Sequence, residues 1–382
     1  MLTDARSYNP TVSHTHKYKR DPTKSASRNN ISWRAVWKDP AGQRQTKAGF
    51  PTKAAADRFL EHVTADLVSG SYTDPRRALT TFGRLAERWF RTLRDKSPNT
   101  IAGYRSLLDV HVLPRWGVVP LGDIDNLGLS EWLAELPLSL SRRRQAFRVV
   151  TAVLRLAIRN SYIAKNPAEG ITLPEPPKRD RYLTPFEVAR LADALTPVYD
   201  ALVLVMAFGG LRWGEAVALR RRDIDIQRGR LMVSRSLVEK PGGGFMFKGT
   251  KTDRARTAAV PPGVVDRLVR HLSGISDDPE DLVFTSREGR PLRRSNFNRR
   301  YWKPALDVAG LENVTPHDLR HTSVAFLIAA GAPALQIQIH AGHSSAKVTL
   351  DRYGHLFPDA FDTTRGLLEN LYREGTAELE AR

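Results

Sequence analysis

Arg212, Lys251, His317, Arg320, His343 and Tyr353 bring fixed positive charge, titratable groups and a hydroxyl nucleophile into one stretch of the chain, in four separated clusters. Gly210-Leu211-Arg212-Trp213-Gly214-Glu215 follows an apolar run, which sets Arg212 at a helix edge beside a carboxylate able to orient it. Thr250-Lys251-Thr252 lies in the loop between a Gly-rich strand and Arg256-Thr257-Ala258-Ala259-Val260-Pro261. Thr315-Pro316-His317-Asp318-Leu319-Arg320-His321 places His317 and Arg320 three residues apart, on one face of a helix. The Thr-Pro before them marks a helix start, where anions bind readily. His340-Ala341-Gly342-His343-Ser344-Ser345 precedes Val348-Thr349-Leu350-Asp351-Arg352-Tyr353-Gly354-His355, so Tyr353 follows His343 by ten residues. Taken singly, each cluster has a plain reading: a surface Arg/Glu pair, a solvated lysine, a surface His/Arg pair, a tyrosine used for packing. Taken together they could clamp an anion, move protons and attack an electrophile.

Composition narrows the anion. The 382 residues hold 59 Lys and Arg against 41 Asp and Glu, a net charge of +18, which points to a polyanionic partner such as nucleic acid or an anionic membrane surface. A membrane fits poorly, because no run approaches the ~18 apolar residues of a spanning helix. The most apolar stretch, around Ala201 to Gly210, reads as a buried helix. The start, Met1 to Arg6, lacks the basic and apolar regions of a secretory signal, so export is not expected. With no cysteine, a disulfide scaffold, a thiol nucleophile and cysteine-ligated zinc are excluded, which suits a cytoplasmic protein. Asp223/Asp225 and Asp277/Asp278/Glu280/Asp281 read as solvated turns, and His14 and His16 lie in a polar arm, so no metal site and no cofactor is expected.

The elements that must position these residues form a mainly α, multidomain α+β chain. Residues 1–28 are polar, basic and aperiodic, and read as a flexible arm. Residues 29–75 read as a small module. Trp33, Ala35 and Trp37 alternate on a strand, Asp39 to Gly42 turn, and Gln43 to Phe50 return as a second strand; Thr52 caps a helix from about Lys53 to Val68 carrying Ala56, Phe59, Leu60 and Val63. Trp33 and Trp37 share a face and read as its core, leaving Arg34, Lys38, Arg44 and Lys47 as the DNA-contact candidates. Residues 76–173 read as all helix, with Leu85, Trp89 and Leu93 on one apolar face and Val149, Val153 and Leu156 on another. Arg142, Arg143, Arg144 and Arg148 on that domain are candidate phosphate contacts. A proline-rich linker over 174–180 leads to a domain over 181–382, whose first helix starts at Thr184-Pro185. There, Gly229 to Glu239, Gly244 to Lys248 and Arg256 to Val260 read as strands of one small antiparallel sheet among helices.

The four clusters, in this order and in a basic chain, resemble the tyrosine recombinase and phage integrase family over roughly Lys178 to Pro358. The two preceding domains are similar in layout to that family's arm-site and helical, SAM-like core-site DNA-binding domains. The resemblance implies a DNA breaking-rejoining fold with Arg212 and Arg320 as catalytic arginines, His317 paired with the second, and Lys251 as the hairpin lysine. It further implies His343 in the position held by histidine or tryptophan, Glu215 as acidic orienter and Tyr353 as nucleophile. Ala341 departs from the leucine usual before Gly342, which bears on local packing. The chemistry suits the set: charge building on nonbridging phosphate oxygens needs bidentate, always-charged donors, the leaving 5′-oxygen needs a proton, and a phosphotyrosine conserves the bond energy for religation without metal or ATP.

The resemblance further implies double-stranded DNA at attachment sites as the partner, bound by a homotetramer on two duplexes, with a host DNA-bending protein and an excision directionality factor as accessories. The helical domain is expected to grip the duplex opposite the catalytic domain. Phe361, Leu367, Leu368, Leu371 and Tyr372 mark an amphipathic helix, Asp362 to about Glu380, suited to docking on a neighbouring protomer. Two alternatives stay open on sequence: relaxation of supercoils in the manner of a type IB topoisomerase, and a DNA-binding regulator without catalysis.

Overall fold

The computed structural model describes residues 13–19, 31–39, 42–69, 72, 75–176, 181–249 and 255–357, with positions 365, 368–370, 372, 373 and 376 beyond. The chain divides into two compact units, residues 1–177 and 178–382, with the division inside the proline-rich segment.

The first unit opens with a three-stranded antiparallel sheet in the order β1 (His14–Lys19), β2 (Ile31–Lys38), β3 (Arg44–Phe50). β1 corrects the expectation that all of residues 1–28 form a flexible arm. It pairs with β2 from His14↔Val36 to Lys19↔Ile31. The strand was invisible to periodicity because it lacks apolar alternation: the side sharing a face with Ala35 carries Thr15 and Lys17, and Thr15 donates to Asp57 at 2.8 Å. The β2–β3 turn is closed by Asp39, whose N–H donates to the Gln43 carbonyl at 2.9 Å, with Gly42 at φ +77°.

Helix α1 (Lys53–Val68) starts at Thr52, whose hydroxyl accepts from Ala55 N at 3.2 Å. It buries Ala56, Leu60 and Val63 beneath the sheet residues Ala35 and Trp37, and Trp37 Nε1 donates to the Tyr72 hydroxyl at 2.8 Å. Trp33, expected in the same core, is only partly buried, and a register shift between Trp33 and Arg34 interrupts the β2–β3 pairing there.

Helices α2 (Pro75–Ala78), α3 (Phe82–Arg91), α4 (Pro98–Leu107), α5 (Leu113–Trp116), α6 (Asn126–Glu135) and α7 (Leu140–Arg159) follow. They enclose a separate core that includes Phe82, Leu85, Leu107, Leu129, Val149, Val153 and Leu154. Each such side chain, fully buried, contributes about 1.5–3 kcal/mol to keeping these helices together.

The second unit begins at α8 (Pro185–Asp193). Thr184 Oγ1 accepts from Glu187 N at 3.2 Å while Thr184 N donates to Glu187 Oε2 at 2.8 Å, a reciprocal cap of the kind that Thr-Pro-x-Glu spacing produces. α9 (Asp200–Gly209) is the buried apolar helix, with Ala201, Leu202, Val203, Val205, Met206 and Ala207 all inside. After α10 (Trp213–Ala216) come β4 (Ile224–Asp225), β5 (Arg230–Val233), β6 (Arg235–Glu239), β7 (Phe245–Gly249) and β8 (Arg256–Ala259). They form two small sheets, β4-β5-β8 and β6-β7, instead of one. The strand expected over Gly229 to Glu239 breaks at Ser234, yet buried Leu231, Val233 and Leu237 fall on positions of the same parity on either side of the break, so alternation did not show it.

The remaining helices are α11 (Pro262–Leu272), α12 (Arg294–Phe297), α13 (Lys303–Val308), α14 (Pro316–Ala329), α15 (Ala334–Ala341) and α16 (Ala346–Tyr353). Most of the tail expected as an assembly helix, including Phe361, Leu367 and Leu371, lies outside the described residues; Leu368 and Tyr372 are helical and exposed. No helix among the described residues is long and apolar enough to cross a membrane.

Candidate active site

The first catalytic candidate sits where a buried helix stops. α9 ends at Gly210, whose φ of +65° turns the chain so that Arg212 precedes the short helix α10. Glu215, one turn on, is 2% exposed and fixes Arg212 twice: its Oε2 accepts the Arg212 backbone N–H at 2.9 Å and its Oε1 accepts Nη1 at 2.7 Å. Arg212 Nη2 also reaches the Gly342 carbonyl at 3.4 Å. The same carboxylate receives Arg256 Nη2 at 2.7 Å, and Arg256 Nε donates to the His340 carbonyl at 3.0 Å. Burial alone would raise the Glu215 pKa, but Arg256 and then Arg212 reverse this and hold it at about 2. Glu215 is therefore a fixed anion that orients one arginine with another.

Arg320, on the first turns of α14, is 2% exposed. Its Nη1 donates to the Gly210 carbonyl at 2.6 Å, while its Nη2 is buried and meets no hydrogen-bond partner among the described residues. Burial first, and then the charge of Arg212, lower its pKa. A buried guanidinium with a spare donor beside a second arginine is a site that an anion would complete. α14 itself is capped by Asp318, whose carboxylate accepts from the Thr315 backbone N–H at 2.7 Å and from the Thr315 hydroxyl at 2.8 Å. His317 is exposed on the same first turn, and its pKa is lowered by desolvation, then by Arg320 and Arg352.

Tyr353 ends α16 and is 1% exposed, packed with Val324, Ile328, Ile337 and Ala341. Ala341, the departure from the expected leucine, is thus fully buried against the tyrosine's own cluster. The His343 ring stacks on Tyr353 at 6.1 Å with 9° between planes, and its Nδ1 is 2.8 Å from the Thr349 hydroxyl. Burial, followed by Arg320 and Arg212, lowers the His343 pKa to about 4. Burial raises the Tyr353 pKa to about 12 against the opposing pull of Arg352 and Arg320. Its hydroxyl is hydrogen-bonded to His321 Nδ1.

Arg212, Glu215, Arg320, His317, His343 and Tyr353 thus belong to one constellation in the second unit, linked by these contacts and mutual fields. Lys251 lies outside the described residues. Sequence reasoning missed Arg256, His321 and Arg352. His321 carried a usable signal, since it follows His317 by four residues and so shares its helix face.

The candidate DNA contacts lie in the first unit. Register places Arg34, Lys38 and Arg44 on the sheet face opposite Trp37, with Arg34 stacked over the Tyr18 ring at 4.7 Å. Lys47 pairs with Ala35 on the helix-covered face and lies 4.4 Å over the Phe59 ring, so its stem covers the core. On α7, Arg143 donates to the Leu138 carbonyl at 3.0 Å, and Arg144 ties down the Leu173 and Pro174 carbonyls at 3.1 and 2.9 Å. Arg142 contacts Gln145 at 3.0 Å, and Arg148 is exposed. Among the described residues, no three acidic, histidine or cysteine side chains form a group that could hold a metal ion.

Residues 181–359 match the model of the phage integrase family. The chain is 29% identical over 339 residues to the putative prophage phiRv2 integrase of Mycobacterium tuberculosis, covering 86% of this chain and 89% of that protein. It is 30% identical over 262 residues to the tyrosine recombinase XerA of Thermococcus kodakarensis, covering 67% and 85% respectively. Among solved structures, the Tn1549 transposon integrase in complex with a circular intermediate DNA superposes with a TM-score of 0.66 at 22% identity, over 76% of this chain and 99% of that one. The two arginines, the histidines and the buried tyrosine lie within the matched segment, and the chain belongs to the phage integrase family as a site-specific tyrosine recombinase.

Proposed function

We propose that this recombinase integrates or excises a phage or other mobile element by cutting and rejoining double-stranded DNA through a 3′-phosphotyrosine at Tyr353. The observation that carries the reading is Arg320: a buried guanidinium with one nitrogen spent on Gly210 and the other unpartnered, beside an Arg212 locked by Glu215. Two such donors suit the two nonbridging oxygens of a scissile phosphate, whose charge grows in the transition state. Tyr353 Oη attacks phosphorus, the bond to the 5′-oxygen breaks, the phenol gives up its proton and the 5′-oxygen gains one. No proton is consumed overall, and the 5′-hydroxyl of another strand can reverse the step without ATP.

Lys251, between β7 and β8 in the sequence, is assigned as the proton donor to the leaving oxygen, and His317 and His343 as groups that position the phosphate or exchange protons. The arginine pair takes the electrostatic role that divalent ions fill in metal nucleases, so no metal or cofactor is required. Arg34, Lys38, Arg44 and Arg148 remain suited to phosphate contacts, whereas Lys47, Arg143 and Arg144 have structural duties as well. The flanking modules over residues 29–75 and 76–173 are assigned to arm-type and core-type attachment-site DNA, and the tail beyond residue 358 to cyclic contacts in a tetramer on two duplexes. Support comes from the relatives, one a prophage integrase and one a transposon integrase solved with DNA.

The test is Tyr353→Phe, which removes only the nucleophilic oxygen. The variant is expected to bind its attachment site and form no covalent adduct with DNA; an adduct formed by the variant would remove Tyr353 from the role.

A further inference from the structure

Beside Tyr353 the catalytic assignments leave a buried titratable group unused: His321. It lies on α14 one residue after Arg320, is 6% exposed, and hydrogen-bonds the Tyr353 hydroxyl through Nδ1. Its other nitrogen, Nε2, is 2.8 Å from Arg352 Nη2. Arg352 immediately precedes Tyr353 on α16 and is itself exposed.

The proton inventory settles the direction of both bonds. A guanidinium has donors and no acceptor, so Nε2 must offer its lone pair to Arg352. A neutral imidazole carries its single proton on one nitrogen, and that proton is therefore on Nδ1, facing Tyr353 Oη. A doubly protonated ring is disfavoured by burial, then by Arg352, His317, Arg320 and His343, which bring the His321 pKa to about 3. The Arg352 contact thus selects the tautomer that donates to the phenolic oxygen.

We propose that Arg352 and His321 act as a positioning pair and donor for the nucleophile, in which Arg352 locks His321 as a neutral Nδ1–H donor to Tyr353 Oη. The inference rests on Tyr353 being the nucleophile. Its chemical consequence is specific. With Nδ1 already protonated, His321 cannot accept the phenolic proton, which leaves by another route; the Nδ1–H instead stabilises negative charge as it develops on Oη. That help is needed because burial opposes phenolate formation. The other groups around Tyr353 are Tyr182 ahead of α8, whose ring lies 6.2 Å away, Arg320 on α14, and His343 ahead of α16, whose ring stacks on it, while His317 packs edge-on against His321 at 4.6 Å.

Two measurements on the full chain test the pair. Histidine-selective ¹⁵N NMR of the wild type should show an Nδ1–H tautomer for His321, and Arg352→Met should release it toward Nε2–H. In single-turnover cleavage of a nicked suicide attachment site, Arg352→Met should bind DNA normally and cleave about 10- to 100-fold slower. The limb of its pH–rate curve that rises with pH should move to higher pH, as a less stabilised phenolate requires, and Arg352→Lys, which keeps a charged donor, should recover most of the rate. An Nε2–H tautomer in the wild type, or wild-type rate and pH profile in Arg352→Met, overturns the inference. A wild type that forms no adduct through Tyr353 overturns the nucleophile assignment and the inference together, whereas a normal adduct with an unaffected Arg352→Met overturns the inference alone.

Discussion

Replacing Glu215 by Gln removes one charge from the interior while almost preserving shape. The wild-type carboxylate, 2% exposed, accepts three hydrogen bonds from Arg212 and Arg256. Lowering a carboxyl pKa from 4.5 to about 2 corresponds to about 3 kcal/mol of folded-state stabilisation of the anion. Breaking a buried ion pair by removing one partner costs about 3–5 kcal/mol, and here Arg256, with its side chain 9% exposed, would be left uncompensated. Both routes give about 3 kcal/mol, which for a unit of this size is a fall in Tm of about 6–12 °C. The pH dependence supplies an internal control. Because the folded pKa is depressed, the stabilisation is fully present above the unfolded value of 4.5 and disappears as pH falls toward 2. Calorimetry of wild type and Glu215→Gln at several pH values should therefore show a gap near 3 kcal/mol at neutral pH that closes on acidification. A neutral-pH gap under about 1 kcal/mol, or one that does not shrink below pH 4.5, would show that the two arginines do not hold Glu215 as a stabilising anion.

Arg212→Ala and Arg320→Ala should each slow suicide-substrate cleavage by about 10²- to 10³-fold with site binding retained, and near-normal cleavage by either would remove it from the phosphate clamp. Gly342→Ala should lower thermal stability by about 1–3 kcal/mol, because Gly342 has φ +67° and an added Cβ would lie 2.8 Å from Arg256 Cδ; an unchanged Tm would show that Arg256 has room to move. Truncation after Pro358 should leave binding of one site intact and weaken synapsis, measured by native gel shift of two-site complexes. A folded truncation that still forms full synaptic complexes would exclude the tail from assembly.

Local signals carried far in this chain. The caps at Thr52, Thr184 and Thr315 rest on bonds within three residues, and each marks a helix start that the spacing had indicated. The buried helix before Gly210 was legible from its apolar run, and Arg212, His317, Arg320, His343 and Tyr353 from their motifs. What escaped depends on partners distant in sequence. β1 exists by pairing with β2, Arg256 joins the site through Glu215 and His340, 41 and 84 residues away, and His321 meets Arg352 and Tyr353 across 31 and 32 residues. Arg144 is a candidate phosphate contact by its charge, and charge alone does not reveal that its Nη1 also donates to backbone carbonyls 29 and 30 residues on.

The proposed mechanism turns on a covalent link between Tyr353 and DNA. A suicide attachment site cleaved by the wild-type protein, digested with protease and nuclease and sequenced by mass spectrometry, reads that link directly. The expected product is a single modified peptide with the DNA 3′-phosphate esterified to Tyr353 and a free 5′-hydroxyl on the departing strand. A link to any other residue, a 5′-phosphate attachment, or cleaved DNA with no protein attached would contradict it.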